Sequence, residues 1–91
     1  MSVMVRIPGP LRRVTNGTEK VTVEGATLGA CIGELEARFP GIRDRLLDEA
    51  GQMRYFVNVY LNGEDVRFLK GLDTPTSAGD ELSIVPAVAG G

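Results

Sequence analysis

The sequence predicts an α+β domain in which a mixed sheet of about five strands is covered by one main helix. Three observations lead to this fold class. Several short segments alternate apolar and polar side chains, one longer segment carries an apolar stripe with helical spacing, and turn-forming Asn-Gly and Pro residues separate these segments. The chain has 91 residues, 43% of them hydrophobic and 24% charged, which allows one domain with one core.

Two strands are predicted near the N-terminus. Residues 3–7 alternate between aliphatic and other side chains until Pro8-Gly9-Pro10 interrupts the pattern. The pair Asn16-Gly17 accepts positive φ and so favours a turn, after which alternation resumes at Val21 and Val23. The chain therefore opens with a β-hairpin that has a long loop.

One long helix is predicted after Thr27, whose side chain can cap the N-terminus. Pro40 ends it, because the residue before a proline disfavours the α region. The apolar stripe at i, i+3, i+4, i+7 and i+11 consists of Leu28, Cys31, Ile32, Leu35 and Phe39. Ile42, Leu46 and Leu47 indicate a second, short helical piece.

Three further strands complete the predicted sheet. In residues 56–61, the aliphatic Val57, Val59 and Leu61 alternate with Phe56, Asn58 and Tyr60, and the pattern stops at the turn pair Asn62-Gly63. We expect a short strand around Val66-Arg67 to pair with them. Residues 82–85 alternate again, and Pro86 ends this last strand because it has no N–H to donate.

The order strand, strand, helix, strand, short strand, strand predicts a single sheet covered by a single helix. The arrangement that buries both apolar faces is the ubiquitin-like β-grasp layout. We expect residues 1–86 to form this domain and residues 87–91 to form a flexible C-terminal tail.

Composition excludes several classes of function. The chain has no histidine and one cysteine, so it lacks the usual general base and the residues of a thiolate metal cluster. We therefore expect no catalytic residues and no metal site, and we interpret Cys31 as a core residue. The net charge of -2 gives no footprint for nucleic acid or membrane binding. No export signal is visible, which leads us to expect a cytoplasmic protein.

Strict alternation also predicts a candidate surface. Phe56, Tyr60 and Val85 are predicted to lie on the opposite, uncovered face of the sheet if the alternating apolar residues face the helix, namely Val57, Val59, Leu61, Leu82 and Ile84. Three large apolar groups there indicate either a docking patch for a partner or a face covered by loops.

The C-terminus carries the main candidate group. No side chain from Leu82 onward is charged, so the α-carboxylate of Gly91 is the only charge on this arm. Because glycine lacks Cβ, a Gly90-Gly91 end can enter a narrow channel and present its carboxylate to another enzyme. The ordinary alternative is a frayed chain end, and the context of the dipeptide has to decide between the two.

That context is a resemblance along most of the chain. The segment 62–67 and the ending 79–91, in which Gly79-Asp80 leads through alternating apolar residues to a proline and a terminal Gly-Gly, resemble the ubiquitin-like sulfur carriers of the ThiS and MoaD type. Within that family, the ending Pro-Ala-Val-Ala-Gly-Gly is most similar to the carriers of cysteine synthesis. Ile7-Pro8, Thr27-Leu28-Gly29-Ala30 and Val57-Asn58 extend the similarity toward the N-terminus.

The resemblance implies a protein cosubstrate and not an enzyme. It implies that an activating enzyme uses ATP to adenylate the carboxylate of Gly91 and that a sulfur donor then leaves a thiocarboxylate. A cysteine-synthase-like enzyme with pyridoxal phosphate would use this thiocarboxylate to attack aminoacrylate formed from O-phosphoserine. A metalloprotease would then release the cysteine from Gly91. Neither cofactor would be bound by the chain itself. The residues presented to partner active sites would be Pro86, Ala87, Val88, Ala89 and Gly90.

Two alternatives stay open at this point. The chain could be the small subunit of a molybdopterin synthase, although that family more often has Pro-Pro-Val where this chain has Pro86-Ala87-Val88. It could also be a ubiquitin-like modifier that forms isopeptide bonds to lysines through Gly91. The terminus alone does not separate these functions.

Overall fold

The computed structural model describes residues 2–86, which form a five-stranded sheet with one long helix packed against it. The strands are β1 (Ser2–Arg6), β2 (Lys20–Glu24), β3 (Val57–Leu61), β4 (Glu64–Asp65) and β5 (Glu81–Pro86). The helices are α1 (Leu28–Arg38) and α2 (Ile42–Leu46), with short 3-10 turns at Gly9–Leu11, Val66–Phe68 and Gly71–Asp73. This confirms the predicted β-grasp fold.

The order of strands across the sheet is β2-β1-β5-β3-β4. The β1–β2 hairpin is antiparallel with Val3 opposite Val23, whereas β1 and β5 run parallel with Val5 beside Leu82. The two remaining pairs are antiparallel. The last strand of the chain is therefore the central strand of the sheet.

Helix α1 forms where the apolar stripe predicts it. The Thr27 hydroxyl accepts a hydrogen bond from the Ala30 N–H at 3.1 Å and so caps the N-terminus. The helix ends at Arg38, and Phe39 and Pro40 follow in non-helical backbone. Leu28, Cys31, Ile32 and Leu35 are buried, and Phe39 packs partly buried against them.

The core fills the space between α1 and one face of the sheet. Alternate residues of β1, β2, β3 and β5 supply its sheet side, as the period-2 pattern predicts. The buried sheet residues are Val3, Val5, Val21, Val23, Val57, Val59, Leu82 and Ile84.

The predicted short strand at Val66-Arg67 is wrong, because β4 occupies Glu64–Asp65 instead. Asn62 and Gly63 both adopt positive φ, at 51° and 87°, which closes a two-residue hairpin loop and pairs Leu61 with Glu64 directly. The Asp65 carboxylate then accepts the Arg67 N–H at 2.9 Å. This contact turns the chain into a 3-10 turn, which directs Val66 into the core.

Candidate functional site

The candidate site begins at Pro86, where β5 reaches the end of the described residues. Parallel pairing with β1 and antiparallel pairing with β3 hold this strand on both sides, and Pro86 lies opposite Val57. The start of the C-terminal segment is thus fixed relative to the domain. The predicted modified residue, Gly91, and the predicted tail residues Ala87, Val88, Ala89 and Gly90 lie outside the described residues.

Two members of the predicted docking patch, Tyr60 and Val85, lie together on the sheet face opposite α1. Tyr60 is opposite Ser83 and Asn58 is opposite Val85, so Tyr60 and Val85 are diagonal neighbours on adjacent strands. Val85 is 44% exposed and Tyr60 is partly buried. A large exposed aliphatic side chain therefore lies one residue before Pro86.

Phe56, the third predicted member, is not brought to this face. It precedes β3, packs partly buried against the core, and lines a hollow beside Pro86 together with Leu11 and Val57. Alternation predicts the direction of a side chain only inside a strand, and here the strand starts one residue later. The Val57 N–H donates to the Arg54 carbonyl at 3.0 Å, so Phe56 lies within a turn.

The hollow beside Pro86 is open to solvent and has a volume of about 490 Å³. Five of its lining residues are apolar, and the other three are Asp44, Arg45 and Arg54. The apolar lining consists of Pro10, Leu11, Phe56, Val57 and Pro86. No sequence pattern indicated this hollow, because its walls come from four separate segments of the chain that only the tertiary fold brings together.

Arg67 braces the start of β3, a role that sequence analysis missed. Its guanidinium donates to the carbonyls of Arg54 and Val57 at 2.8 and 2.7 Å and to the Asn58 side-chain oxygen at 2.8 Å. These bonds hold the backbone from Arg54 to Val57, which includes Phe56. Val57, at the end of this stretch, lies opposite Pro86. The only sequence signal was an arginine shortly after a hairpin, which is too common to predict such a contact.

The lone cysteine contributes no reactive thiol at this site. Cys31 is fully buried, and its Sγ lies 3.8 Å from the Thr76 hydroxyl oxygen. Burial raises the pKa of its thiol, because the charged form loses solvation. Within residues 2–86, no group of His, Cys, Asp and Glu side chains is arranged to hold a metal ion, and no helix is long and apolar enough to cross a membrane.

Known proteins resemble this chain over its full length. The ThiS family matches residues 5–91, a range that includes both terminal glycines. The sulfur carrier protein CysO of Mycobacterium tuberculosis is 50% identical over 93 aligned positions, which cover 100% of both chains. The crystal structure of the BexX/CysO complex of Amycolatopsis orientalis matches with a TM-score of 0.93 and 47% identity, over 98% of this chain and 99% of that chain.

A further relative is named as a modifier protein and not as a sulfur carrier. Small archaeal modifier protein 3 of Haloferax volcanii is 40% identical over 68 residues, which cover 75% of this chain and 73% of that protein. The family match spans nearly the whole chain, and the alignment to CysO covers 100% of this sequence and of that protein. The chain therefore belongs to the ThiS family of sulfur carriers and is a homologue of CysO.

Proposed function

We propose that this sulfur carrier works through the carboxylate of Gly91, which is adenylated and then converted to a thiocarboxylate. A terminal carboxyl group with a pKa of about 3.5 is an anion at neutral pH and resists nucleophilic attack. An activating enzyme uses ATP to form the acyl adenylate and releases pyrophosphate. Sulfide released by a donor then attacks the carbonyl carbon, the bond to AMP breaks and a proton is lost, so one sulfur replaces one oxygen.

The proposed acceptor is the aminoacrylate that a cysteine-synthase-like enzyme forms from O-phosphoserine with loss of phosphate. The thiocarboxylate sulfur adds to its β-carbon and gives a thioester. Attack of the amino group on the thioester carbonyl then moves the acyl group from sulfur to nitrogen, which leaves cysteine in amide linkage to Gly91. A metalloprotease hydrolyses this amide, and ATP and pyridoxal phosphate belong to the partner enzymes.

One observation carries the proposal: 50% identity to CysO of M. tuberculosis over 100% of both chains, with a family match that runs through Gly91. The described fold agrees with it in physical terms. Residues 2–86 form a folded domain whose central strand ends at Pro86, and the five residues beyond can reach up to about 17 Å when extended. We propose that the domain docks while residues 87–91 enter the partner's active site.

Tyr60 and Val85 are the proposed docking residues for the activating enzyme. They lie side by side on the sheet face away from α1, and β5 carries Val85 directly toward the C-terminal segment. Contact at this face holds the start of that segment near the partner. Exposed apolar groups that become buried on association contribute much of the binding energy of protein interfaces.

Intact-mass spectrometry tests the first step. The carrier incubated with its activating enzyme, ATP and a sulfide source should gain the mass difference between sulfur and oxygen on its C-terminal peptide. A variant that lacks Gly90 and Gly91 is the matched control and should stay unchanged. An unmodified native chain, with an activating enzyme that hydrolyses ATP in its presence, would contradict the proposal.

The second step separates cysteine synthesis from molybdopterin synthesis. Thiocarboxylated carrier mixed with the pyridoxal-phosphate enzyme and O-phosphoserine should acquire one cysteinyl residue at Gly91. Failure of this reaction, together with successful sulfur transfer to a molybdopterin precursor or copurification with a larger synthase subunit, would instead assign the chain to molybdopterin synthase.

Protein modification is a second candidate function, and the similarity to small archaeal modifier protein 3 supports it. The same adenylate of Gly91 can be attacked by a lysine amine in place of sulfur, which gives an isopeptide bond. The mass experiment distinguishes the two products. A carrier yields the small sulfur-for-oxygen increase, whereas a modifier yields conjugates heavier than the chain by the mass of a target protein.

A further inference from the structure

We propose that the hollow beside Pro86 is a docking site for the activating enzyme, which inserts an apolar side chain into the hollow and places a carboxylate against Arg45. This docking site rests on the proposed function, because the enzyme that occupies it is the one that adenylates Gly91. It adds a second contact surface to the face that carries Tyr60 and Val85. Its support comes from the short reach of the C-terminal segment and from the lining and charge of the hollow.

The C-terminal segment is too short to hold the domain at a distance from its partner. Five residues follow Pro86, and they span at most about 17 Å when extended. An enzyme that adenylates Gly91 encloses the end of the chain, so the mouth of its active site lies against the surface around Pro86. Pro86 itself forms part of the wall of the hollow. The hollow therefore lies within the footprint of the enzyme.

The hollow and the predicted docking face lie on two sides of the same strand end. Val85 points away from α1, whereas alternation places Pro86 on the side of the buried residues Leu82 and Ile84. A typical interface covers about 800 Å² of each partner, which corresponds to a disc with a radius of about 16 Å. A disc of that size centred on Pro86 includes both surfaces, so one enzyme can contact both at once.

The lining of the hollow is mainly apolar. The ring of Phe56 is partly exposed there, beside the rings of Pro10 and Pro86. The volume of about 490 Å³ lies within the range of about 300 to 1,000 Å³ that is typical of small-ligand pockets. An aliphatic or aromatic side chain that enters such a hollow leaves water, and buried anchors of this kind supply much of the binding energy of protein interfaces.

The charges at the hollow indicate an acidic group on the partner. Arg45 and Arg54 lie there with Asp44, so the lining carries two cations and one anion. The Arg54 Nε donates to the Asp44 carbonyl at 2.9 Å, which holds this guanidinium in place. Arg45 is exposed, and within residues 2–86 no hydrogen bond or ion pair engages its side chain. A guanidinium pairs best with a carboxylate, so the complementary surface is apolar with an acidic edge.

The activating enzyme is the partner that all three candidate functions require. Cysteine synthesis, molybdopterin synthesis and protein modification each begin with the adenylate of Gly91. A contact surface that is part of the domain and adjoins Pro86 supports this shared step, whichever acceptor follows. The cysteine-synthase-like enzyme is the other possible occupant, and its own affinity for the same variants distinguishes the two.

Calorimetric titration of the full-length carrier with the activating enzyme tests the charged contact. Arg45→Glu should weaken binding about fivefold, because the loss of an ion pair and the added repulsion both reduce affinity. The loss should become smaller as salt is raised, since salt screens exposed charges. Lys70→Glu makes the same change in net charge on an exposed residue outside the hollow and should bind as the wild type does.

Phe56→Ala tests the apolar contact and should weaken binding at least about fivefold, as truncation of a buried anchor does. Phe56 also packs against the core, so circular dichroism must first show that the variant folds. If it does not fold, Pro10→Asp takes its place, because Pro10 is an exposed residue of the same wall. In ATP–pyrophosphate exchange, these variants should raise the KM for the carrier and leave kcat unchanged, which a loss of docking alone predicts.

Native affinity of Arg45→Glu and of the folded variant of the apolar wall would overturn the proposal. Equal losses for Arg45→Glu and Lys70→Glu would also overturn it, because net charge would then account for the effect. A loss confined to the cysteine-synthase-like enzyme would assign the hollow to that partner instead. Exchange with the wild-type carrier decides the proposed function, whereas the affinities of the variants decide the docking site, so the two fail separately.

Discussion

At the scale of single residues, Glu36 controls how the chain passes from α1 into α2. Its carboxylate accepts the N–H of Arg43 at 2.9 Å and the N–H of Gly41 at 3.1 Å. Gly41 adopts a φ of 103°, a conformation that glycine reaches without strain. One carboxylate therefore accepts hydrogen bonds from two N–H groups at the start of α2. The N-cap residue of this helix is Gly41, which has no side chain that could do so.

We expect the variant Glu36→Gln to lower the free energy of unfolding at pH 7. Backbone hydrogen bonds from Arg43 and then Gly41 lower the pKa of Glu36 below its ordinary value of 4.5. The folded state thus favours the ionised form, and its contribution to stability is present above about pH 4.5 and is lost as pH falls through the folded-state pKa. Urea denaturation at pH 7 and at successively lower pH measures the effect. The difference in the free energy of unfolding between the wild type and Glu36→Gln should become smaller as the pH falls.

Glu49→Gln provides the control for this prediction. Glu49 is an exposed carboxylate in the loop after α2. Its replacement should change the free energy of unfolding little, because its side chain is exposed. An equal effect of Glu36→Gln and Glu49→Gln at every pH would contradict this prediction. The loss of stability would then come from the change in net charge, and not from the hydrogen bonds to Arg43 and Gly41.

At the scale of elements, two glycines around α1 occupy opposite environments. A Cβ at Gly25, before the helix, would lie 2.8 Å from the Cys31 nitrogen and 3.0 Å from the Ala30 carbonyl carbon. A Cβ at Gly33, on the exposed side of the helix, would meet nothing within 4 Å. The loop before α1 therefore needs glycine for a close approach of two backbone segments, whereas the helix itself does not.

Matched alanine variants should show this difference. Gly25→Ala forces the loop away from the first turn of α1 and should destabilise the protein by about 1 to 3 kcal/mol, as overpacking does. Gly33→Ala should stabilise it by up to about 1 kcal/mol, because alanine is the better helix former. Thermal or urea unfolding measures both. A Gly25→Ala protein as stable as the wild type would show that the loop can move freely.

The elements also show where sequence patterns are reliable. The helix stripe and the alternating strands were predictable, because burial of one face imposes a period on many residues at once. The position of β4 was not, because the two-residue loop at Asn62-Gly63 and the Asp65 cap decide it through single contacts. Phe56 was misplaced for a related reason, since alternation was extended one residue beyond the strand.

At the scale of the whole molecule, the family of the chain was predictable from its sequence, whereas the surroundings of Pro86 were not. Gly90-Gly91 at the end of an uncharged arm is a local feature of the sequence, and its resemblance to sulfur carriers indicated a function. The hollow joins residues as far apart as Pro10 and Pro86, and the Arg67 brace joins a turn to β3. Such long-range contacts depend on the topology that places β5 in the centre of the sheet.

The same topology allows a test of the proposed docking face with two variants that each introduce an aspartate, one in the central strand and one in an edge strand. Val85 in the central strand and Thr22 in the edge strand β2 both point away from α1. Thr22 is level with Glu81, so it lies two strands across and four residues along from Val85, roughly 16 Å away. Val85→Asp should weaken binding to the activating enzyme at least about tenfold, since it places a charge against a desolvated contact. Thr22→Asp should bind as the wild type does, and calorimetry with the purified enzyme measures both.

Circular dichroism must first show that both variants keep the fold, because Val85 lies in the central strand. If Val85→Asp does not fold, Tyr60→Ala takes its place, since Tyr60 lies on the same face at a partly buried position. Native affinity in a folded Val85→Asp or Tyr60→Ala protein would remove the patch from the docking surface. Equal losses for Thr22→Asp and Val85→Asp would point to net charge, and not to local apolar contact, as the basis of recognition. A loss confined to the two patch residues would locate the partner on the strand that delivers the C-terminal segment.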